Sequence, residues 1–308
     1  MKKVFDCVIV GGGPAGLSAG IYLGRFNRSV LVVDKGNGGR WHSHEINENY
    51  LGFPSGIASK ELRALGKRQA QKFGAEFCLD EISNVRKRKS GFVLSGKKNY
   101  YYSKTIIFAT GVADNFPPIK NIDQYIGECL FWCITCDGYK VRNKRVVVLG
   151  NNEEAACMTM QLLNFTKKIT YLSNSTSKES GLSDIWRARL RKTGVNFIEG
   201  YATDIIERNK GLKHLLLHDG EKLPADFIFS VQGAMPHSQL AKKLGVELSR
   251  EDYIKTDIEQ RTNVTGVYAA GDVTKYFSHQ IASAVHEGSM AAQAVNYDLY
   301  RPEQKVVS

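Results

Sequence analysis

Two cysteines separated by two residues, Cys133 and Cys136, have the types and spacing in this 308-residue chain that most directly suggest chemistry. Thiols at this spacing can close a small disulfide, which another thiolate can reopen. Asp137 follows the second cysteine directly, and a carboxyl group there can carry a proton during the exchange. A four-cysteine zinc site would need a second Cys-x-x-Cys, which the sequence lacks. The motif therefore predicts a redox-active disulfide and no metal.

A glycine-rich turn near the start of the chain predicts a dinucleotide-binding fold. Residues 4–10 are apolar and predict a buried strand, and the turn that follows reads Gly-Gly-Gly-Pro-Ala-Gly. Gly11 permits the tight turn, Gly13 lets a pyrophosphate approach the backbone, and Gly16 lets the next helix pack closely on the strand. This pattern is specific here because it stands between a strand and a helix.

The helix after this turn and the next strand complete a βαβ unit. Pro14 and Ala15 begin an apolar-periodic helix that runs to about Phe26, and its first N–H groups favour phosphate. Residues 29–34 predict the second strand, and Asp34 at its end can accept a hydrogen bond from a ribose hydroxyl. We therefore predict that these residues and the three glycines bind a nucleotide cofactor.

The sequence repeats this plan once, after a break. Residues 105–111 predict a buried strand ending in Ala-Thr-Gly, and the prolines at 117–118 indicate a crossover to a second domain. There, a strand at 145–149 runs into Gly-Asn-Asn-Glu-Glu-Ala and another helix. A further apolar strand at 266–272 ends in Gly-Asp, and a helix is predicted over 280–297. The chain is thus predicted to be an α/β protein with two nucleotide-binding domains.

Several of these segments together resemble the low-molecular-weight thioredoxin reductases, over nearly the whole chain. The matching segments are Gly11–Gly16, Glu48–Pro54, Ala109–Gly111, Cys133–Gly138 and Gly271–Asp272. The resemblance implies an α/β fold of two Rossmann-like (FAD/NAD(P)-binding type) three-layer domains, the second inserted into the first. It implies a split FAD-binding domain at 1–116 and 245–308, an inserted nicotinamide-type domain with the redox cysteines at 117–244, and a homodimer.

The same resemblance implies FAD as the cofactor and a set of residues that bind it. Asn49 would lie near the flavin, and Asp272 would bind the phosphate–ribityl region. Further cofactor-binding candidates from the family pattern are Gly39, Ala109, Thr110, Gly111, Gly271, Gln280 and Ile281.

The family mechanism implies a role for each residue of the cysteine motif. Electrons pass from reduced flavin to the disulfide, with Cys136 facing the flavin. Cys133 attacks the disulfide of thioredoxin or a thioredoxin-like protein, and Asp137 supplies or removes the proton. Alone, Asp137-Gly138 would be read as a simple turn, but beside the two cysteines the functional interpretation is favoured.

The second nucleotide motif departs from the NADPH-dependent members of this family. Those members carry Gly or Ala where this chain has Asn152, and Glu154 adds a carboxylate close to the expected pyrophosphate. Residues 173–176 read Ser-Asn-Ser-Thr in place of a His-Arg-Arg-type clamp for the 2′-phosphate, with Lys178 nearby. Each lost charge-assisted contact is worth about 1.5–3 kcal/mol. NADPH is therefore expected to bind poorly, unless neighbouring lysines substitute.

Two further segments resemble a smaller branch of thioredoxin-reductase-like flavoproteins that lack the NADPH motifs, some of which take electrons from ferredoxin. These segments are Gly-Gly-Arg-Trp at 38–41 and His286–Gly288. Trp41 is interpreted either as a flavin shield or docking residue, or as a packed surface aromatic. His286 is interpreted either as a proton carrier or as a hydrogen-bonded core histidine. The resemblance implies ferredoxin as a candidate donor.

The charge of the chain suits acidic protein partners. The formal net charge is +11, with basic runs at 86–89, 97–98 and 187–192, each of which alone reads as a solvated surface. No aromatic-basic RNA motif or DNA-reading motif occurs, so no nucleic-acid partner is expected. No apolar run approaches the ~20 residues of a membrane span, and the start shows no signal-peptide pattern. We therefore expect no membrane association and a cytoplasmic location.

The functional hypothesis is an FAD-dependent disulfide reductase acting on thioredoxin or a thioredoxin-like protein, with a donor such as ferredoxin in place of NADPH. Three alternatives stay open. The first is a dithiol oxidase that passes electrons from thiols through FAD to oxygen. The second is a standard NADPH thioredoxin reductase with a divergent clamp. The third is a non-catalytic flavin-binding sensor, against which the intact cysteine motif argues.

Overall fold

The chain forms two units. The computed structural model describes residues 2–36, 40, 46–174, 181–208, 211–275 and 278–305. Of these, the first unit takes its residues from Met1–His42, Tyr50–Ala113 and Met235–Ser308, and the second from Ser43–Asn49 and Asp114–Ala234. The first unit is therefore assembled from both ends of the chain, whereas the second is nearly continuous in sequence.

The described strands, in chain order, are β1 (Val4–Val10), β2 (Val30–Asp34), β3 (Ile46–Asn47), β4 (Ile57–Ala58), β5 (Glu76–Leu79), β6 (Ile82–Lys87), β7 (Phe92–Gly96), β8 (Tyr100–Phe108), β9 (Val112–Asp114), β10 (Leu130–Phe131), β11 (Val146–Leu149), β12 (Ile169–Leu172), β13 (Asn196–Ile198), β14 (Ala202–Arg208), β15 (Gly211–Leu217), β16 (Lys222–Pro224), β17 (Phe227–Ser230), β18 (Ala234–Pro236) and β19 (Val267–Ala269). The described α-helices are α1 (Pro14–Arg25), α2 (Ser59–Lys72), α3 (Ile134–Asp137), α4 (Glu153–Leu162), α5 (Asp184–Lys192), α6 (Gln239–Lys243) and α7 (Ile281–Asp298). Short 3₁₀ helices cover Ile122–Tyr125, Gly138–Val141, Asp272–Thr274 and Pro302–Gln304.

A parallel sheet forms the centre of the first unit, in the strand order β5-β2-β1-β8, with β19 also pairing along β8. The last four residues of β1 are buried, as expected for an apolar strand that is covered on both faces. β7 and β6 continue the sheet beyond β8 in antiparallel order. Because β1, β8 and β19 run parallel, their carboxyl ends meet at one edge, which is where open α/β sheets bind ligands.

The second unit contains another parallel sheet, in the order β10-β17-β11-β12-β13. Its central strand β11 reads Val-Val-Val-Leu and is buried throughout. A separate antiparallel sheet, β14-β15-β16, shares a core cluster with it through residues such as Leu215 and Val147. The prediction of two Rossmann-like α/β domains is confirmed.

The unit boundaries differ from those expected from the sequence. Residues 114–116 belong to the second unit, and residues 235–244, which include α6, belong to the first unit and not to the inserted domain. The cause is packing, since Ala241 is fully buried in a core cluster of the first unit that also contains Ile82. Residues 46–49 group with the second unit as well, which no sequence pattern indicated.

Candidate active site

The two cysteines form a disulfide at the start of a short helix in the second unit. Cys133 and Cys136 are joined, with their Cα atoms 5.3 Å apart. Cys133 is the N-cap of α3, and its sulfur accepts a hydrogen bond from the backbone N–H of Cys136 at 3.1 Å. Both cysteines are half-buried. After reduction, a thiolate on Cys133 would therefore keep an N–H donor that stabilises its charge.

Asp137 is a buried carboxyl group beside this disulfide in the chain. Its side chain is 12% exposed, and one of its oxygens lies 2.8 Å from the ammonium group of Lys140. Burial raises the pKa of Asp137 above its ordinary value, while the hydrogen bond and charge of Lys140 oppose that rise. Glu48, whose carboxylate accepts a hydrogen bond from the Tyr139 hydroxyl, raises the same pKa further. Asp137 is thus adjusted to exchange a proton at a higher pH than an exposed aspartate.

Gly138 keeps the turn after this motif closely packed. A Cβ on this residue would lie 3.0 Å from atoms of both Ile134 and Phe165, so the neighbouring side chains would have to move. Glycine is therefore required at position 138 by the packing around α3, in addition to ending the helix.

The glycine-rich turn lies at the edge of the first unit where β1, β8 and β19 end. Gly11 has a φ of +108°, and a Cβ on it would lie 2.3 Å from the carbonyl oxygen of Ala109. A Cβ on Gly16 would lie 2.0 Å from the carbonyl oxygen of Gly11. α1 therefore begins directly against the turn, with Gly13 as its N-cap and Pro14 as its first residue.

The first turn of α1 suits a phosphate group. Its N-cap, Gly13, has no side chain that could bond the first N–H groups, and no acidic residue stands in this turn. Ala15, which follows Pro14, is buried against the sheet. An uncapped helix start offers N–H donors and the positive end of the helix dipole to an anion. The residues present therefore fit the pyrophosphate of a dinucleotide such as FAD.

Asp34 organises the loop next to this helix start. Its carboxylate accepts hydrogen bonds from the N–H groups of Gly12 at 2.6 Å and Gly36 at 2.7 Å, and it forms an ion pair with Arg63. A cavity of about 460 Å³ adjoins the carboxylate, a size in the range of ligand pockets. Its lining also includes Leu17, Lys60, Lys67, Phe77 and Cys78.

The predicted segment Ala109–Gly111 follows β8 at the same edge. The N–H of Ala109 donates to the carbonyl of Val10 at 2.9 Å, and the Thr110 hydroxyl donates to the carbonyl of His237 at 2.7 Å. Gly111 has a φ of +65° and open space where a Cβ would point. The first bond holds the segment at the end of β1, and the second joins it to the chain at His237.

Gly271 and Asp272 follow β19 at this edge. Gly271 has a φ of +83°, and its N–H donates to the carboxylate of Glu287 at 2.7 Å. Glu287 is 1% exposed and also accepts a hydrogen bond from the Thr274 hydroxyl at 2.9 Å. Asp272 forms an ion pair with Arg40 at 2.9 Å. The first unit thus brings together the glycine turn, Ala109–Gly111 and Gly271–Asp272 at one sheet edge.

The remaining predicted cofactor residues fall in three places. Gln280 is the N-cap of α7, where it forms a capping box, and Ile281 is the first residue of that helix. Asn49 is exposed and groups with the second unit. Gly39 lies outside the described residues, as does Trp41.

Side chains occupy the corresponding turn of the second unit. Asn152 is the N-cap of α4, and its side-chain oxygen accepts a hydrogen bond from the N–H of Ala155 at 2.9 Å. Glu153 and Glu154 follow in the first turn, and burial raises the pKa of Glu154. A pyrophosphate at this position would compete with the capping amide and meet a carboxyl group. The start of α4 therefore differs from the uncapped start of α1.

The polar side chains after β12 form hydrogen bonds to the backbone of the second unit. Ser173 is buried, and its hydroxyl exchanges hydrogen bonds with the backbone of Gly200. The side-chain oxygen of Asn174 accepts from the N–H of Ala202 at 3.3 Å. The other residues of the segment discussed for the 2′-phosphate, 175–178, lie outside the described residues.

Comparison with known proteins identifies the family. A family model described as pyridine nucleotide-disulphide oxidoreductase matches residues 5–291. The chain belongs to this family. Thioredoxin reductase of Treponema pallidum is 31% identical to it, over 96% of this chain and 97% of the relative.

Two solved structures of this family are similar to the chain. Thioredoxin reductase from Streptococcus pyogenes has a TM-score of 0.90 at 26% identity, covering 97% of this chain and 99% of that one. The atypical thioredoxin reductase TRi from Desulfovibrio vulgaris Hildenborough has a TM-score of 0.52 at 34% identity, covering 94% of this chain and 96% of that one. The chain is thus a disulfide oxidoreductase of the thioredoxin reductase type, as its motifs predicted.

Three charged residues next to the predicted sites were given no role from the sequence, although Glu287 stands in the segment His286–Gly288. Lys140 carries a signal, because it follows Asp137 by three residues and such a spacing brings two side chains together on a helix. Arg63 and Glu287 carry none, since their partners lie 29 and 16 residues away in the chain.

Two further expectations concern single features. His286 is exposed, so its interpretation as a core histidine is wrong. Among the described residues, no helix combines the length and the apolar character that crossing a bilayer would require.

Proposed function

We propose that this member of the family is an FAD-dependent reductase that passes electron pairs through the Cys133–Cys136 disulfide to thioredoxin or a thioredoxin-like protein. The observation that carries the proposal is the disulfide at the start of α3 with the buried Asp137 beside it. The thioredoxin reductases among the relatives support the nature of the substrate.

The reduced cysteine pair would perform two successive exchanges. Cys133 loses its proton to Asp137 and attacks the substrate disulfide, which releases one substrate thiolate that takes the proton back from Asp137. Cys136 then loses its proton in the same way and attacks the mixed disulfide on Cys133, which releases the second substrate thiol. One S–S bond is broken and one is formed, and two protons move from enzyme thiols to substrate thiols. The N–H donor at the Cys133 sulfur supports this residue as the attacking thiolate.

FAD would be held by the first unit. The start of α1 would bind the pyrophosphate, Asp34 and its loop would lie on the adenosine side, and Asp272 would bind toward the ribityl chain. The uncapped helix start and the three loops at one sheet edge support this assignment. When bound, the flavin supplies the two-electron chemistry that reopens the disulfide.

We further propose that the electron donor is an acidic one-electron carrier of the ferredoxin class and not NADPH. The capped and acidic start of α4 supports this, because a nucleotide pyrophosphate would have to displace Asn152 and approach Glu154. The net charge of +11 suits an acidic carrier. The family resemblance also supports a homodimer, which sedimentation of the purified protein would test. It supports a cytoplasmic location as well.

An anaerobic titration of the purified flavoprotein tests both proposals. We expect NADPH and NADH to leave the flavin absorbance unchanged, and reduced ferredoxin or a small dithiol to bleach it. Rapid bleaching by micromolar NADPH would contradict the donor proposal and favour a standard reductase with a divergent clamp.

Two cysteine variants give the control for the titration. Cys133→Ser and Cys136→Ser should keep the flavin and its reduction by ferredoxin but lose thioredoxin reduction. Turnover that survives both changes would exclude the disulfide as the electron carrier. Rapid oxygen uptake with a dithiol, without any thioredoxin reduction, would instead assign a dithiol oxidase.

A further inference from the structure

A lysine that no sequence motif marked is bonded to the proton carrier of the candidate site. Lys140 lies on the 3₁₀ helix Gly138–Val141, and its ammonium group is 2.8 Å from an oxygen of Asp137. Asp137 is the N-cap of this helix and stands three residues before Lys140, so the contact is local in the chain. The ammonium group also lies 5.2 Å from the centre of the buried Phe131 ring, which restricts the lysine further.

The pair is shielded from solvent to different degrees. The side chain of Lys140 is 28% exposed and that of Asp137 is 12% exposed. At such burial a charge pair is weakly screened, and removing one partner leaves the other charge poorly compensated. Lys140 therefore opposes the effect of burial on the pKa of the carboxyl group that follows the cysteines in the chain.

In the part of the chain that the structure describes, one other charged group acts on the pKa of Asp137, and it acts in the opposite direction. Glu48 raises the pKa of Asp137, although its carboxylate is bonded to Tyr139. α4, which packs against α3, carries Glu153 and Glu154 in its first turn. Among the described residues, Lys140 is the cation whose hydrogen bond and charge lower this pKa.

We propose that Lys140 is a positioning residue for the disulfide chemistry, which holds Asp137 ionised and oriented so that it can take the proton of an attacking cysteine. The inference rests on the proposed function, because it concerns the same thiol–disulfide exchange. Lys140 touches neither the sulfur atoms nor the substrate in this role and acts through the carboxylate alone.

The sign of the pH effect follows from the charges. In the folded protein, burial raises the pKa of Asp137 and the ammonium group of Lys140 lowers it. Loss of the ammonium group should therefore raise this pKa. The carboxylate that accepts the thiol proton is then present only at higher pH. The acidic limb of the rate–pH profile should move toward alkaline pH by about one unit. At a fixed pH on that limb, the reaction should therefore be roughly tenfold slower. The plateau rate at high pH should stay the same.

The test uses stopped-flow reaction of the dithiol-reduced holoprotein with 5,5′-dithiobis(2-nitrobenzoate) across a pH range. This aromatic disulfide needs no electron donor and no protein partner. Lys140→Met and Lys140→Gln should both show the shifted limb, and Lys140→Arg should restore the original profile. Lys167→Met is the matched control, because this exposed lysine of the second unit donates to the carbonyl of Leu163, and its profile should stay unchanged.

A double variant shows whether the lysine acts through the carboxylate. In an Asp137→Asn background, Lys140→Met should produce no further shift, since the group it acts on is absent. An undiminished shift in that background would overturn the proposal, as would an equal loss of rate at every pH or an unmoved profile. Failure of the proposed function has a different signature, namely unreactive thiols in the unaltered protein or exchange that survives Cys133→Ser.

Discussion

Asn152 distinguishes the second glycine turn of this chain from the first. The two helices at the two glycine turns begin differently, since α1 starts at Gly13 without a capping side chain and α4 starts with a capping amide. Asparagine is a good N-cap, so this residue stabilises its own helix while it occupies the N–H group of Ala155, which a phosphate could otherwise use. Glu154 adds a carboxyl group to the same turn.

Replacing Asn152 and Glu154 by small residues should allow a nucleotide to bind more tightly at this turn. Replacement of asparagine by glycine at an N-cap costs only a few tenths of a kcal/mol, so Asn152→Gly with Glu154→Ala should fold. We expect its NADPH dissociation constant to fall roughly tenfold, which is about 1.4 kcal/mol, as measured by calorimetric titration. Glu153→Ala removes an exposed acid that bonds to Ser183 and serves as the control. An unchanged affinity in the double variant would mean that these side chains are not what excludes the nucleotide.

At the level of residues, the sequence predicted what depends on local spacing. Cys133 and Cys136 could be assigned because a separation of three residues brings two thiols within reach of each other, and the structure joins them. The pairing of Glu287 with Gly271 could not be assigned, because it depends on how α7 crosses the end of β19. A buried acid in an alanine-rich helix gives no sign of its partner.

The packing of α1 against α7 is the element-level feature that shapes the cofactor edge. A Cβ on Gly288 would lie 2.1 Å from the carbonyl oxygen of Ala15, which shows how closely the two helices approach at the start of α1. The Gly271–Asp272 turn packs against the same helix start, because a Cβ on Gly271 would lie 2.9 Å from the Cβ of Ala15.

A single methyl group should therefore disturb this contact. We expect Gly288→Ala to destabilise the protein by about 1–3 kcal/mol, because α7 must move away from α1. Gly20→Ala is the matched control on α1, since its Cβ would meet no atom closer than 3.5 Å and alanine favours a helix. Urea midpoints of the two variants give the comparison. Equal midpoints would show that the helices separate without cost.

Element patterns were predictable from the sequence where they were periodic. The strand at 4–10 follows from a run of apolar residues, and the helix that begins at Pro14 follows from its apolar periodicity after the glycine turn. The boundary near residue 235 did not follow, because α6 is short and joins the first unit only through the burial of residues such as Ala241. Such tertiary packing leaves no mark in the local sequence.

At the scale of the whole molecule, the positive charge is unevenly distributed. Residues 82–104, which form β6 to β8 and their turns in the first unit, contain seven basic residues and no acidic one. These are Arg86, Lys87, Arg88, Lys89, Lys97, Lys98 and Lys104, of which Lys97 is paired with Glu81 and Lys104 with Asp6, so the segment keeps a net positive charge. Charge of one sign over a surface accelerates encounters with an oppositely charged protein and is screened by salt.

The rate of reduction by an acidic carrier should therefore depend on salt. Raising the ionic strength from about 0.01 to 0.15 M shortens the screening length from about 30 to 8 Å. We expect the second-order rate constant for reduction by ferredoxin to fall at least about tenfold, while reduction by a neutral dithiol hardly changes. Stopped-flow flavin absorbance measures both. A parallel loss with the dithiol would point to a salt effect on the protein itself.

The discontinuous first unit also sets an order of events during synthesis. Residues 114–234 leave the ribosome as one stretch, so the cysteine-bearing unit can fold while the remainder is still being made. The other unit lacks β19 and α7 until the last part of the chain has emerged, and with them the Gly271–Asp272 turn. In a newly made chain, the unit that holds Cys133 and Cys136 could thus fold before the unit that we propose to bind FAD is complete.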